Sequence, residues 1–267
     1  MSRICVRCVV ALALTISAGY SGSAQRGGAG GGQAQPVQSP QASAPIDLTG
    51  YWVAIVNEDW RWRMVTPLPK DYASVPLNAE GRKVADSWEP SKDGSCLAYG
   101  AAALMRMPTR LHITWDTENV LKIETDQGQQ TRLLRFERAS AATAERSLQG
   151  RSIAEWERPG RGGGPGGFAG PPPGAGRAGA GQNPRGGSLK VVTTQLSGGW
   201  LRRNGVPYSE ETTMTEYYDR FPVAKEEWLV VTTVVSDPKY LTQDFVTSSH
   251  FRREPGSGKW DPTPCKP

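Results

Sequence analysis

The chain has 267 residues and a formal net charge of +5, from 31 Lys and Arg against 26 Asp and Glu. Two segments, residues 1–45 and 159–187, each carry three arginines and no acidic residue. Without them the chain holds 25 basic and 26 acidic side chains, a net charge of −1. A nucleic-acid-binding domain carries its positive charge on the folded part, so this distribution argues against a nucleic-acid partner.

The N-terminal segment predicts export. Residues 1–24 combine a basic start, a short apolar stretch over residues 9–16 and a small-residue end at Ala24. These are the features of a secretory signal peptide, so we expect a secreted or periplasmic bacterial protein. The apolar stretch is too short for a permanent transmembrane helix, and we expect none in the mature chain. Residues 25–45 are rich in Gly, Gln and Pro, which predicts a disordered tether.

Residues 50–65 predict a β-hairpin at the start of the folded part. An apolar, β-branched and aromatic run is followed by three polar residues and then by alternating aromatic and basic side chains. That alternation has the period of a strand. In this hairpin Trp60 and Trp62 share one face, and Arg61 and Arg63 share the other.

The rest of the chain repeats short strands between turn signals. Asn78 is placed to cap a helix over residues 78–88, and residues 99–107 predict a helical turn. Strands are predicted over residues 110–115, 120–125, 131–136, 152–157, 189–194, 212–219, 227–235 and 244–253. We therefore predict an all-β, mainly antiparallel, up-and-down β-barrel of about 8–10 strands with one or two short helices, since closure removes exposed sheet edges.

One insertion interrupts the predicted domain, which covers residues 46–267. Residues 159–187 hold 13 of the 31 glycines and six prolines, which predicts a disordered loop between two strands. Loop closure costs only about 0.6 kcal/mol for each doubling of length, so the fold can carry it. Residues 174–179 match G-x-G-x-x-G but have neither a strand before them nor a helix after them, so no nucleotide site is predicted.

Two cysteines, Cys96 and Cys265, remain after removal of the signal peptide. An exported pair is most simply a disulfide. The alternative is two buried, reduced thiols.

The sequence contains only two histidines, His112 and His250. A zinc or copper site usually has more imidazole or thiolate ligands, although two His and one carboxylate can hold iron; we expect no metal and no cofactor. Asp244, Ser248 or Ser249, and His250 lie on one predicted strand, where neighbours face opposite sides. Without a G-x-S-x-G motif, a hydrolase triad is not predicted, and catalytic residues stay unassigned.

Aromatic and charged residues supply the candidate ligand contacts. We select Trp60, Trp62, Arg61, Arg63, His112, Glu216, Tyr217 and His250. The carboxylates Glu58, Asp59, Glu216 and Asp219 are also candidates for acid–base chemistry, because burial tunes a cavity-facing carboxylate. The alternative for the aromatic residues is core packing, with arginines stacked over the rings.

Two resemblances bear on the fold. Gly50-x-Trp52 resembles the G-x-W start of lipocalins, in which a basic residue near the end of the last strand crosses the Trp; Arg252 and Arg253 match that position. Residues 47–255 also resemble a group of uncharacterised secreted bacterial proteins. The matching segments are residues 47–52 (DLTGYW), the spacing Cys96…Gly100…Pro108, residues 150–157 (GRSIAEWE), residues 189–194 (LKVVTT) and Asp237-Pro238-x-Tyr240. The group's G-D turn is replaced here by the glycine-rich insertion. The resemblance implies a lipocalin-like barrel and secretion, and no particular activity.

Three functions remain open at this stage. The first is a monomeric carrier that binds a small hydrophobic or aromatic molecule in its barrel. The second is an enzyme that uses carboxylates and His at the barrel mouth. The third is a structural or envelope-interaction protein whose barrel is filled by its own side chains.

Overall fold

The computed structural model describes residues 38–91, 96–137, 145–157 and 188–265. The strands in chain order are β1 (Gly50–Ile55), β2 (Arg110–Thr117), β3 (Val120–Thr125), β4 (Gln127–Gly128), β5 (Thr131–Arg135), β6 (Arg151–Trp156), β7 (Leu189–Thr194), β8 (Gly199–Arg202), β9 (Val206–Tyr208), β10 (Thr213–Val223), β11 (Glu226–Ser236), β12 (Phe245–Glu254) and β13 (Thr263–Pro264). Nine of them close into a barrel in the order β1-β12-β11-β10-β7-β6-β5-β3-β2. The predicted all-β barrel is confirmed.

Neighbouring barrel strands are antiparallel, except that β5 and β6 are parallel. A tight hairpin turn joins only antiparallel strands, so the longer connection over residues 136–150 is what permits this pairing. The β8–β9 hairpin and the short β4–β13 pair lie outside the barrel sheet. The predicted meander is therefore correct along most of the chain and is interrupted once.

The helices are short, as predicted. They are α1 (Trp60–Arg63), α2 (Ala79–Asp86) and α3 (Ala101–Leu104), with 3-10 turns at Leu97–Tyr99 and Ser257–Lys259. The predicted cap is present, because the side chain of Asn78 accepts a hydrogen bond from the Gly81 amide at 2.8 Å. Among the described residues, none of these helices has the length and apolarity that crossing a membrane requires.

The predicted hairpin over residues 50–65 is wrong in its second half. Only β1 is a strand, and Trp60–Arg63 forms the helical turn α1 after Asp59, which has a left-handed φ of 52°. Strand β1 is already paired with β12 on one edge and with β2 on the other. No edge of β1 is left for a hairpin partner. Residues 60–65 therefore cannot pair with β1 as a strand, although their sequence alternates like one.

Alternating side chains fill the barrel. The buried core includes Trp52, Leu111, Ile113, Leu121, Ile123, Leu134, Leu189, Val191, Tyr218, Leu229, Val231 and Phe251. The indole of fully buried Trp52 donates to the Leu48 carbonyl at 2.9 Å. The guanidinium carbon of Arg253 lies 5.5 Å from the centroid of the Trp52 ring, so the contact implied by the G-x-W resemblance is present. The other candidate, Arg252, instead pairs with Glu226 at 3.1 Å.

The first and last described segments are each held to the rest of the fold. The predicted disulfide joins Cys96 to Cys265. Residues 38–45, which belong to the predicted tether, lie against the barrel, where the Trp156 indole donates to the Pro40 carbonyl at 2.9 Å. The predicted signal peptide and the first part of the tether lie outside the described residues, as does the insertion.

Candidate binding site at the barrel rim

The eight predicted ligand contacts do not form one site. Four of them lie on α1, at the rim where β1 ends and β2 begins. His112 and His250 lie on the outer face of the wall, on the two strands that flank β1. Glu216 lies inside the barrel, while its neighbour Tyr217 lies on the opposite face of β10.

The two histidines have separate surroundings. The ring of His112 stacks on Tyr51 with centroids 4.2 Å apart, and its Nδ1 is 3.3 Å from Glu124. The Nδ1 of His250 is 3.3 Å from Glu58. The residues on either side of each histidine are the buried ones: Leu111 and Ile113 beside His112, and Ser249 and Phe251 beside His250. The structure therefore does not bring the histidines together in the barrel interior.

Glu216 belongs to a buried polar network. Its two carboxylate oxygens accept hydrogen bonds from Arg132 at 2.9 and 2.6 Å, and neither side chain is exposed to solvent. Ser152, Thr193 and Tyr218 complete the surroundings of the guanidinium. Burial is the largest single influence and lowers the pKa of Arg132, but the charges and hydrogen bonds of Glu216 and Tyr218 together outweigh it and raise the pKa. The carboxylate is matched by its own arginine, which is the arrangement of a structural ion pair.

Arg132 was not among the predicted site residues, although the sequence carries a signal for it. Arg132 has the same parity along its strand as Leu134 and Phe136, which is the inward-facing parity. A charged residue at an apolar position of an alternating strand indicates a buried partner.

A groove of about 540 Å³ lies at the rim beside α1. Six of its eight lining residues are apolar, namely Val53, Ala54, Val56, Trp60, Met64 and Pro108. Trp60 is 63% exposed and Met64 is 51% exposed. We call this feature the Trp60 groove. It places a large aromatic ring in solvent above an apolar floor.

The opposite face of α1 is buried against arginines. Arg63 donates through Nε to the Arg106 carbonyl at 2.8 Å, and the guanidinium of Arg202 lies 4.7 Å from the Trp62 ring centroid. Arg61, in contrast, is exposed and pairs with Asp71 at 2.6 Å. Arg63 was among the predicted residues, whereas Arg106 and Arg202 were missed. The signal for Arg106 was its position as a single charge in the apolar run ALMRMP.

A second cleft, of about 460 Å³, lies beside the β8–β9 hairpin. Its lining mixes the aromatic rings of Trp200 and Tyr240 with both signs of charge. Arg146 and Glu210, for example, lie 3.6 Å apart within it. Because its charges are matched to one another, this cleft has no single chemical preference.

In the described part of the chain, no three His, Cys, Asp or Glu side chains are grouped so that they could hold a metal ion. Comparisons of the chain with protein-family models, with curated proteins and with solved structures found no match. The geometry of the rim is therefore the basis on which we infer a function.

Proposed function

We propose that the protein is an exported, lipocalin-like β-barrel that binds a small hydrophobic or aromatic molecule in the Trp60 groove. The observation that carries the proposal is the exposure of Trp60, at 63%, above an apolar floor. Small-molecule sites are concave, mostly apolar and about 300–1,000 Å³ in volume. The groove lies within that range.

The side chains around the groove suit an adaptable apolar ligand. Trp60 offers a flat ring for stacking, and Met64 is flexible and polarizable, so the pair accommodates rings of different shape. Val53 and Pro108 give the floor a fixed apolar surface. Binding would remove these exposed apolar atoms from water, at about 25 cal/mol for each Å².

Because side chains fill the barrel interior, the rim is a better place for a ligand than the interior. Trp52, Phe251 and their neighbours occupy the apolar part, and the Arg132–Glu216 pair occupies a polar part. This packing favours the filled-barrel alternative for the interior itself. The described His–carboxylate pairs, His112–Glu124 and His250–Glu58, lie on the outer face of the wall rather than in a cavity, so we rank the enzyme alternative below binding.

Two observations support export. The N-terminal residues carry the pattern of a signal peptide, and the Cys96–Cys265 disulfide suits an oxidising compartment.

Fluorescence titration tests the proposal. Uncharged, non-fluorescent aromatic and aliphatic probes, such as 4-nitrotoluene and decanol, are added to the purified mature protein. We expect saturable quenching or a spectral shift that is lost in Trp60→Phe, because the reporting ring is gone. Trp260→Phe is the matched control, since Trp260 is a half-buried ring that packs on Tyr51, away from the groove.

A second variant separates binding from folding. Trp60→Ala should weaken probe affinity at least about tenfold, while its stability changes by only about 0.5 kcal/mol because the ring is largely exposed. Trp52→Ala should instead cost about 3–5 kcal/mol, since Trp52 is fully buried. If none of the probes bound, or if Trp60→Ala bound them as tightly as the wild type, the proposal would be wrong.

A further inference from the structure

A small cavity of about 20 Å³ lies on the face of α1 that points away from the Trp60 groove. Four arginines line it, namely Arg63, Arg106, Arg202 and Arg203. The other lining residues are Trp62, Ala103, Met107 and Leu201. The described lining therefore carries positive charge from several parts of the chain and includes no carboxylate.

Two of these arginines have unsatisfied N–H groups although they are only 3% exposed. In the described part of the chain, Nη2 of Arg63 has no hydrogen-bond partner, and neither do Nε and Nη1 of Arg202. The remaining groups are anchored: Nε of Arg63 donates to the Arg106 carbonyl, and Nη2 of Arg202 donates to Ser74 Oγ at 2.9 Å. A buried polar group without a partner is destabilising, and more so when it is charged. Such groups are rare in folded proteins unless a water or an ion satisfies them.

The charge of the cluster is also not matched locally. Asp59 pairs with Arg106 at 2.8 Å, and it is the one carboxylate in ion-pair contact with these arginines among the described residues. Glu58 acts on Arg63 and Asp71 on Arg202 from nearby, but Glu58 is also engaged by His250 and Asp71 by exposed Arg61. Burial, followed by the charge of Arg106, lowers the pKa of Arg63 and of Arg202 to about 10. The surroundings thus disfavour the charged form of both buried guanidinium groups, and a bound negative charge would raise both pKa values.

We propose that this cavity binds one small oxyanion, held by the unpaired N–H groups of Arg63 and Arg202. A guanidinium presents its N–H donors in a planar fork that matches carboxylate, sulfate and phosphate oxygens. The cavity is small, which limits the occupant to a compact group. An ordered water would satisfy the N–H groups but would leave the positive charge uncompensated.

The cavity has a side near solvent, and the arginine that offers most of its free donors is held in place. Trp62 and Arg203 are half-buried, so their side of the cavity is nearest to solvent. Stacking on Trp62 and the bond to Ser74 hold Arg202 in place. Its donors are therefore preorganised, which reduces the entropy that binding would cost. This site does not depend on the Trp60 groove, because it lies on the other face of α1.

Thermal unfolding and calorimetry test the anion site on the purified mature protein. Sodium acetate, phosphate and sulfate are compared with sodium chloride at one constant ionic strength. We expect at least one oxyanion to raise the unfolding midpoint in a saturable way and to bind with a millimolar or tighter Kd. Acetate alone would indicate a carboxylate ligand, and phosphate or sulfate alone would indicate an inorganic ion; either result supports the proposal.

Two variants locate the effect. Arg202→Met removes a cavity charge and keeps an unbranched side chain, so affinity should fall at least about tenfold. Arg61→Met is the matched control, because Arg61 also belongs to α1 and approaches Trp62 but is exposed and does not line the cavity. Its affinity should equal that of the wild type.

The outcome is decisive even if Arg202→Met does not fold. In that case Arg202→Lys, which keeps the charge but loses the planar fork of N–H donors, replaces it and should also weaken binding. Absence of any saturable oxyanion effect on the wild type up to about 10 mM, where even a millimolar site is largely filled, would overturn the proposal. Unchanged affinity in a folded Arg202→Met protein, or in Arg202→Lys where it replaces that variant, would overturn it as well.

Discussion

At the scale of single residues, the protein buries arginines in two different ways. Both terminal nitrogens of Arg132 bond to the carboxylate of Glu216, so its charge is compensated inside the barrel. Arg63 and Arg202 are buried to a similar degree and, like Arg132, have nitrogens without a partner among the described residues, but neither of them forms an ion pair with a carboxylate there. Removing an acid should therefore be costly at the first place, whereas removing an arginine should be tolerated at the second.

Glu216→Gln tests the compensated pair. The change leaves the Arg132 charge buried without its counter-ion, which should cost about 3–5 kcal/mol of unfolding free energy. Urea denaturation measures the loss. Glu155→Gln is the matched control, because Glu155 pairs with Lys190 at 3.2 Å and is 55% exposed; it should cost less than about 1 kcal/mol. Equal midpoints for the two variants would contradict the assignment of a structural ion pair.

At the scale of elements, local signals predicted most strands and helices but not α1. Asn78 marks its helix through a side-chain cap, which depends only on residues nearby in sequence. The Trp60–Arg63 segment has a strand-like alternation. It cannot pair with β1, however, because β2 and β12 occupy both edges of that strand. Competition between distant strands is not visible in a short window of sequence.

The β6–β7 hairpin yields a prediction about the insertion. Its strands are in register up to Trp156 and Leu189, and the Glu157 amide donates to the Ser188 carbonyl at 2.9 Å. A turn of two to four residues can therefore replace residues 160–186 without altering the pairing. We expect the melting temperature to stay within a few degrees, because loop closure depends only weakly on length. A failure to fold would show that the insertion is structural.

At the scale of the whole molecule, the barrel was more predictable than its site. Repeated alternation and short turns imply an antiparallel sheet, and closure follows from the need to cover its edges. The arginine cavity gathers Arg63, Arg106 and Arg202 from three distant segments. Periodicity identifies the inward face of each strand but not which loops meet at the rim. The sequence therefore suggested Trp60 and Arg63 as candidates without indicating that they lie on opposite faces of α1.

The Cys96–Cys265 disulfide acts on this same global scale, because it joins residues 169 positions apart. It fixes the C-terminal tail, whose strand β13 pairs with β4, to the loop before the Leu97–Tyr99 turn. Restricting so long a loop in the unfolded chain stabilises the native state by about 5 kcal/mol in the chain-entropy model, an upper value in practice. We expect the Cys96→Ser, Cys265→Ser double variant to lose about 2–5 kcal/mol, as measured by urea denaturation.

The mature wild-type protein, alkylated without reduction, should show no added mass, since both thiols are consumed in the bond. Reduction before alkylation should add two labels and lower the unfolding midpoint to that of the double variant. The double variant is itself the control for reduction, because the reductant should leave its midpoint unchanged. Two labels on the unreduced protein would contradict the bridge. An unchanged midpoint in the double variant would show instead that β13 and the barrel closure hold the tail without it.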